Sequence, residues 1–450
     1  MITFKATNRN QPFLMPPGIQ EWLPQRHLAR FIVDTVDILN LNDIYKEYTK
    51  GGKEAYDPKA LLCLLFYGYA IGVFSSRKIE QATYDSIAFR YISANTHPDH
   101  DTIANFRKCF LPQISDLFVQ ILSIAQEAGL LKVGKVSLDG TKVKANASKH
   151  KALSYKYIKK LQSQLEAEVE SLLKKAQEAD NSKSDDGLNI PEEIERREDR
   201  LKVIKEAKEK IEARAKERYD KESKAYQEKM DKREAKEKLT GKKTGGRKPK
   251  APVDTPQDKD QVNLTDEESR IMPTSGGGFE QCYNAQASAD HDSRLILHTH
   301  VTQNSNDKQE IIPTMKWYEK HPSLKPSTAL NADAGYFSED NIKACESNGL
   351  TPYISFGKEQ HNQPLEERFK EADLLPPNST SVEKMKHRLQ TIEGKAIYAE
   401  RKSVIEPIFG IIKHIMGFRQ FMLRGFKKAQ GEWSLVCMAY NLKRLHTIMG

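Results

Sequence analysis

The middle of the chain restricts the possible folds most strongly. Residues 150–262 are dominated by Lys, Glu, Asp and Arg and contain few aromatic residues. Within them, apolar residues recur at heptad-like spacing in two groups: Ile158, Leu161, Leu165 and Leu172, then Ile194, Leu201, Ile204 and Ile211. The turn-rich sequence DNSKSDDGLNIP separates the groups, so the pattern predicts two long antiparallel helices. The following GKKTGGRKPKAPVDTP is typical of a flexible basic linker.

Strand-like sequence lies on both sides of this charged segment. VGKVSLDGTKVKANA precedes it, and FEQCYNAQASADHDSRLILHTHVTQ, STALNADAGYF and LTPYISF follow it, with helical patterns between them. The alternation predicts a mixed α/β catalytic domain over residues 131–450, into which 150–262 is inserted. KVSLDG predicts a strand that ends at Asp139, with TKVKANA as a hairpin partner after an Asp-Gly turn.

The sequence of residues 1–130 predicts a separate helical domain. Within it, residues 57–112 contain several short helices joined by tight turns, and the last helix includes Arg107 and Lys108. A helix-turn-helix DNA-binding module and a plain helical bundle both fit this pattern. On the first interpretation, Arg107 and Lys108 are candidate DNA contacts.

Charge and cysteine usage limit the partners and the compartment. The formal net charge is +9, which favours a polyanionic partner because Lys and Arg displace counterions from phosphates. The five cysteines have neither zinc-site nor paired spacing, as is typical of free thiols in a reducing compartment. No stretch resembles a signal peptide or a membrane span, so we expect a cytoplasmic, nucleoid-associated protein without a membrane partner.

Two aspartates occur in similar surroundings. Asp139 follows VSL and precedes Gly, and Asp333 follows LNA and precedes Ala. Side chains at the carboxyl ends of strands in an α/β sheet point into the functional crevice. Two neighbouring carboxylates repel unless a cation neutralises them, and such oxygen ligands suit Mg²⁺ or Mn²⁺. Two such ions could activate a water or a 3′-hydroxyl, although an ordinary turn role for each Asp fits equally.

Glu406 is the third candidate acid. On a continuous helix, Lys402, Glu406 and Lys413 would share one face, which suits a phosphate backbone lying across it. Pro407 instead predicts a helix that starts near Val404–Pro407, or a kink. A solvated surface of salt bridges is the alternative interpretation. Residues 395–450 contain ten Lys plus Arg against three Asp plus Glu, which predicts a basic, helical C-terminal region.

At these residues the chain resembles the DDE transposases of bacterial insertion sequences. PKALLCLLFYGYAIGVFSSRKIEQA and PDHDTIANFR resemble the N-terminal domain that InsH-like members share. SLDGTKVKANAS, YNAQASAD, NADAGYFS and VIEPIFGIIK resemble, in order, the first catalytic strand, the second strand, the second catalytic Asp and the Glu helix. The resemblance implies a ribonuclease-H-like catalytic fold, with Asp139, Asp333 and Glu406 as catalytic ligands of two Mg²⁺ or Mn²⁺ ions.

Further residues follow from the same resemblance. A Tyr, Arg, Glu and Lys signature would place Tyr398, Lys413 and either Arg401 or Lys402 against DNA, and Lys142 and Lys144 are weaker candidates for phosphate contacts. The implied partners are double-stranded DNA, as terminal inverted repeats and target, and a second copy in a homodimer. Mg²⁺-dependent end cleavage and strand transfer is the implied reaction. The alternatives are a related nuclease without strand transfer and an inactive, transposase-derived DNA-binding regulator.

Overall fold

The computed structural model describes residues 18–48, 54–181, 190–241, 245, 248–274, 276–357 and 374–450. They form two compact units, one of Met1–Val143 with Tyr283–Gly450 and the other of Lys144–Cys282. The predicted mixed α/β architecture is confirmed, whereas the predicted boundary at residue 130 remains a prediction. The helical N-terminal segment and most of the sheet belong to the same unit.

The helices of the described residues are α1 (Leu28–Ile38), α2 (Asn42–Lys46), α3 (Pro58–Ala70), α4 (Ser76–Asp85), α5 (Ile87–Ile92), α6 (His100–Cys109), α7 (Leu111–Glu127), α8 (Tyr155–Asn181), α9 (Ile190–Thr240), α10 (Ile311–Lys320), α11 (Glu339–Ser347), α12 (Ser381–Gln390), α13 (Ile392–Gly410) and α14 (Phe426–Met449). The strands are β1 (Lys135–Lys144), β2 (Ala152–Ser154), β3 (Gln261–Asn263), β4 (Arg270–Pro273), β5 (Phe279–Asp290), β6 (Ile296–Thr302), β7 (Ala329–Ala332) and β8 (Thr351–Ile354). Short 3₁₀ turns and a π-helix at Ile411–Ile415 complete them.

Strand β1 lies in the middle of the sheet. β5 neighbours it on one side and β7 on the other, with β8 beyond β7. β1, β7 and β8 run parallel, whereas β6 pairs antiparallel with β5. β1 pairs with β7 from Lys135↔Ala329 to Leu138↔Ala332, and β7 then ends. The sheet is therefore mixed, with the first strand of the chain at its centre.

The predicted Asp-Gly hairpin is wrong. β1 continues through Asp139 and Gly140 to Lys144 as a single strand. Gly140 has no positive φ, so it does not serve a turn. Its small size serves a close approach instead, since a Cβ there would lie 2.1 Å from Nε2 of Gln286 on β5.

Helix α14 forms the hydrophobic centre of the first unit. It packs against β6, α3 and α7, and most of its length is buried, including Trp433 at 0% exposure. Asn441 fastens it to the edge strand, because its side chain accepts from Ile296 N at 2.8 Å and donates to Ile296 O at 2.7 Å. Helices α3 and α7 thereby share a core with the sheet instead of forming a core of their own.

A buried polar network joins the same helices. Glu432 of α14 accepts a hydrogen bond from the Tyr69 hydroxyl at 2.7 Å, and Arg107 donates to that hydroxyl at 2.9 Å. The second oxygen of Glu432 accepts from the backbone of Met422 and Leu423. These partners compensate for the burial of charged groups in the interior.

The second unit has its own core. Antiparallel contacts join α8 to α9, including Tyr155 with Glu212 and Arg197 with Glu168. Apolar residues of both helices and of β2 and β3 pack into one cluster that includes Ile158, Leu165, Ile204, Ile211 and Val262. β2 pairs antiparallel with β3, and Arg218 binds Asp260 through two hydrogen bonds of 3.0 and 2.9 Å. The turn at 182–189 lies outside the described residues.

Among the described residues, no single helix has the length and apolar character to cross a membrane. The sharply bent pair His100–Cys109 and Leu111–Glu127 meets these criteria only when its two helices are taken together.

Replacement of Gly431 tests the crossing of α14 over α7. A Cβ at this position would lie 2.8 Å from Cβ of Leu111, so Gly431→Ala should lower the free energy of unfolding by about 1–2 kcal/mol despite a better helix propensity. Gly410 is the matched control, since it is also helical but has no atom within 4 Å of the added methyl. Urea unfolding followed by circular dichroism measures both variants, and equal midpoints would contradict the tight crossing.

Candidate active site

The β1–β7 register brings the two predicted aspartates together. Leu138 pairs with Ala332, so Asp139 and Asp333 are the next residues of two neighbouring parallel strands. At this level β7 ends and Asp333 begins a 3₁₀ turn, Ala334–Tyr336, which its side chain caps by accepting from Gly335 N at 2.8 Å. The pairing of β1 with β7 therefore ends directly before the two acids.

Burial disfavours the ionised form of both acids. It raises the pKa of Asp139 from 3.8 to about 7, and the charge of Asp333 adds to this effect while Arg401 opposes it. Burial also raises the pKa of Asp333, although the hydrogen bond from Gly335 and the charge of Arg401 oppose the rise. Two desolvated carboxylates with mutual repulsion form a site that favours a bound cation.

Helix α13 supplies a cation and a third acid. Nη1 of Arg401 lies 3.3 Å from Oδ2 of Asp139, and Nη2 lies 3.4 Å from Oε1 of Glu406. The Arg401 side chain is 9% exposed, whereas that of Glu406 is 53% exposed at the opening of the site. One guanidinium thus bridges the strand acid and the helix acid. The Tyr398 ring also lies near Arg401, with its centroid 5.9 Å from Cζ.

The sequence left open whether Arg401 or Lys402 belongs to the site. The structure places the Arg401 guanidinium between two of the acids, whereas Lys402 is exposed. The predicted helix start near Val404–Pro407 is wrong, because α13 begins at Ile392 and Pro407 lies inside it. Thr391 caps that earlier start by accepting from Gly394 N, so the hydrogen bond lost at Pro407 falls within an established helix.

Two of the predicted lysines lie near the acids. Lys413, in the π-helix after α13, donates to the backbone oxygen of Lys142 at 3.0 Å. Nζ of Lys142 lies 3.7 Å from Oδ1 of Asp307. The remaining predicted lysines lie elsewhere: Lys108 is exposed on α6, and Lys144 pairs with Glu280 at 3.2 Å within the second unit.

Arg107 does not lie on a surface that DNA can reach. It is 6% exposed, and its guanidinium donates to the Tyr69 hydroxyl and to Phe74 O. The sequence shows that Arg107 is a basic residue of a helix but does not show whether its side chain is exposed. For this reason the sequence suggested a DNA contact. The structure instead gives Arg107 a role in the core.

Sequence reasoning missed a fourth carboxylate. Asp307 adds to the raised pKa values of Asp139 and Asp333, so its charge acts on both. Its Oδ1 accepts from Asn284 at 2.6 Å and from Gln286 at 2.7 Å. Asp307 falls in the loop sequence QNSNDKQE, which is typical of a turn. The detectable signal was the alternation of Asn284 and Gln286 with alanines on a buried strand, since buried polar side chains require partners.

The donor atoms suit a hard cation with retained water ligands. Among the described residues, no three carboxylate, imidazole or thiol groups converge closely enough to enclose a metal ion. Asp139 and Asp333 nevertheless offer half-buried carboxylate oxygens beside one another, and Mg²⁺ is commonly held by one or two carboxylates while it keeps several waters. The residues present therefore fit Mg²⁺ or Mn²⁺ with retained water ligands better than a metal ion whose ligands all come from the protein.

Comparisons with known families give two matches. The family described as Transposase DDE domain matches residues 240–442, a segment that contains Asp333, Arg401 and Glu406. The family described as Transposase domain (DUF772) matches residues 18–109, which contain helices α1 to α6. No curated protein and no solved structure gives a significant match. Both matches are to transposase domains, which indicates a function in transposition. The two matches, in this order along the sequence, support a DDE transposase of the insertion-sequence type.

Proposed function

We propose that this transposase cleaves DNA at the ends of its own element and joins the freed 3′-hydroxyl to target DNA. Asp139, Asp333 and Glu406 are the proposed catalytic carboxylates. The observation that carries the proposal is the register Leu138↔Ala332, which sets two half-buried acids side by side at the point where β7 ends. A ribonuclease-H-like fold is part of the proposal, supported by the central first strand and by acids on two adjacent parallel strands.

The chain's own residues have distinct proposed roles. Asp139 and Asp333 hold the divalent cations, and Glu406 completes the set from the exposed side of α13. When bound, two such ions supply an activated oxygen nucleophile and stabilise the leaving oxygen of the phosphodiester. Arg401 keeps Asp139 and Glu406 near one another and limits their repulsion. Its contact with both acids supports this role.

Lysines near the acids are proposed to hold the DNA backbone. Lys413 donates to the main-chain oxygen of Lys142, and the side-chain charge of each is proposed to contact a phosphate near the acids. Tyr398 and Lys402 lie on the same helix as Arg401 and Glu406 and are proposed to contact DNA beside the scissile bond. Lys108 and Lys144 are exposed and remain candidate contacts, whereas the buried Arg107 is not among them.

Assembly on DNA is also part of the proposal. We propose that each of the two ends is cleaved by its own active site, and the described residues of one chain supply one set of acids. A homodimer that pairs two terminal inverted repeats would satisfy this requirement. The helices matched by the N-terminal family are proposed to recognise the repeats.

Substitution of each acid tests the catalytic assignment. Asp139→Asn, Asp333→Asn and Glu406→Gln should each reduce Mg²⁺-dependent cleavage of a labelled element end by roughly 10³-fold or more, with little change in end binding, because each removes charge where the cations bind. Asp292→Asn and Glu393→Gln are matched controls, since both acids are exposed and outside the site. Gel analysis of cleaved ends and mobility shifts of bound ends measure the two properties.

Three outcomes of these assays would contradict the proposal. Normal cleavage by Asp139→Asn would exclude the strand acid from catalysis. Wild-type cleavage without joining of a pre-cut end to plasmid DNA would indicate a nuclease without strand transfer. End binding without any cleavage would indicate a DNA-binding regulator.

Stability should depend on pH through Asp139. The pKa of Asp139 is raised from 3.8 to about 7 in the folded state. The contribution of this group to stability is therefore fully present below about pH 4 and is lost as the pH rises to about 7. Without divalent cations, the free energy of unfolding of Asp139→Asn should therefore exceed that of the wild type. The difference should grow from pH 4.5 to 7.5, reach at most about 4 kcal/mol, and then level off. Thermal unfolding in EDTA measures this difference.

Addition of Mg²⁺ at pH 8 is the companion measurement. It should raise the melting temperature of the wild type and leave that of Asp139→Asn nearly unchanged, because a ligand stabilises only the form that binds it. A difference between the two proteins that does not change with pH would show that Asp139 is not the group that titrates.

A further inference from the structure

The position of α13 relative to the sheet decides whether Arg401 and Glu406 reach the strand acids. Two polar residues precede those acids on the same strands. Ser137 and Asn331 pair in the β1–β7 register, two positions before Asp139 and Asp333. Residues two apart on a strand point to the same face of the sheet. Both are completely buried. Asn331 donates from Nδ2 to the backbone oxygen of Ile397 in α13 at 2.8 Å, which gives the helix one attachment point.

A second attachment runs through His291. Its Nε2 lies 2.8 Å from Oγ of Ser137, and its Nδ1 lies 3.0 Å from Oε2 of Glu400 on α13. The His291 backbone N–H donates to Lys135 O at 3.0 Å, so the residue is fixed to β1 by its main chain as well. Lys135 also contacts the same Glu400 oxygen, with Nζ at 2.5 Å.

The order of groups, hydroxyl to imidazole to carboxylate, is that of a nucleophilic triad, but the burial excludes this role. Ser137 is 0% exposed, so no substrate can reach its oxygen. Burial lowers the pKa of His291 despite the opposing charge of Glu400, so the imidazole is neutral near pH 7. A neutral ring then donates from Nδ1 to the carboxylate and accepts the Ser137 hydroxyl at Nε2. The array connects elements and does not react.

We propose that His291 is a positioning residue that holds Glu400, and with it α13, in the position at which the Arg401 guanidinium contacts both Asp139 and Glu406. This inference rests on the proposed function of those acids. Glu400 directly precedes Arg401, and Glu406 lies about 9 Å further along the helix at 1.5 Å per residue. The attachments at Ile397 and Glu400 are three residues apart on α13, so together they oppose both sliding and rotation of the helix. Displacement of about 1 Å at a reacting centre can reduce a rate by about 100-fold.

Two amide substitutions separate the two nitrogens of the ring. The amide nitrogen of Asn can take the place of Nδ1, so His291→Asn can still donate to Glu400 from a backbone fixed on β1. The amide of Gln instead reaches the place of Nε2, so His291→Gln keeps the contact with Ser137 and loses the one with Glu400. The two variants remove the same ring and have similar polarity, which makes each the control for the other.

Three measurements on the full chain give the result. We expect His291→Gln to weaken Mn²⁺ binding by about 10-fold in calorimetry and to reduce single-turnover end cleavage by about 10- to 100-fold, while end binding stays unchanged. The Mn²⁺ affinity and the cleavage rate of His291→Asn should stay within about threefold of those of the wild type. Amide hydrogen exchange within 392–410 should be faster in His291→Gln than in His291→Asn.

The outcomes separate this inference from the proposed function. Equal behaviour of the two variants, whether both match the wild type or both lose activity alike, overturns the positioning role of His291. If the wild type neither binds Mn²⁺ nor cleaves, the proposed function is wrong, and the exchange rates in 392–410 alone decide the positioning role. Should His291→Gln fail to fold, Glu400→Gln replaces it and is compared with Lys135→Gln, because it weakens the contacts of Glu400 with both His291 and Lys135. Losses larger than those of Lys135→Gln support the positioning role, and equal losses overturn it.

Discussion

The parallel pairing of β1 with β7 is the constraint on which the active site depends. Residues almost two hundred positions apart become neighbours because Leu138 pairs with Ala332 and the ladder then ends. A shift of this register by one residue would turn one acid to the opposite face of the sheet. The small residues around the acids follow from the same crowding, since Gly140 lies against Gln286 and Asp307.

Burial of several carboxylates in one place destabilises the folded chain unless other groups compensate. Arg401 provides the nearest positive charge, and Asn284 and Gln286 donate hydrogen bonds to Asp307. The raised pKa values of Asp139 and Asp333 show that this compensation is incomplete. The remaining repulsion favours cation binding, so the same feature that weakens the cation-free protein prepares it for its reaction.

The helices around the sheet hold the site from two directions. α14 lies buried against β6, α3 and α7, and it fixes the N-terminal helices to the sheet through the network of Tyr69, Arg107 and Glu432. α13 instead carries site residues together with polar attachments, one to β7 and one through His291 to β1. Polar attachments specify a position more narrowly than apolar contacts do, because hydrogen bonds are directional. The charged insertion meets a different need and folds around its own apolar cluster.

The sequence by itself determined the elements whose signals are local. Period-two and heptad patterns located the strands and the charged helices, and the order of acidic motifs identified Asp139, Asp333 and Glu406 as candidates. Only the tertiary structure decided which groups meet. It showed Asp139 inside a continuous strand, Arg401 rather than Lys402 between two acids, Arg107 in the core, and Asp307 and His291 beside or below the site. These features depend on register, on helix rotation and on burial, which arise from contacts between distant segments and leave no periodic trace in the chain.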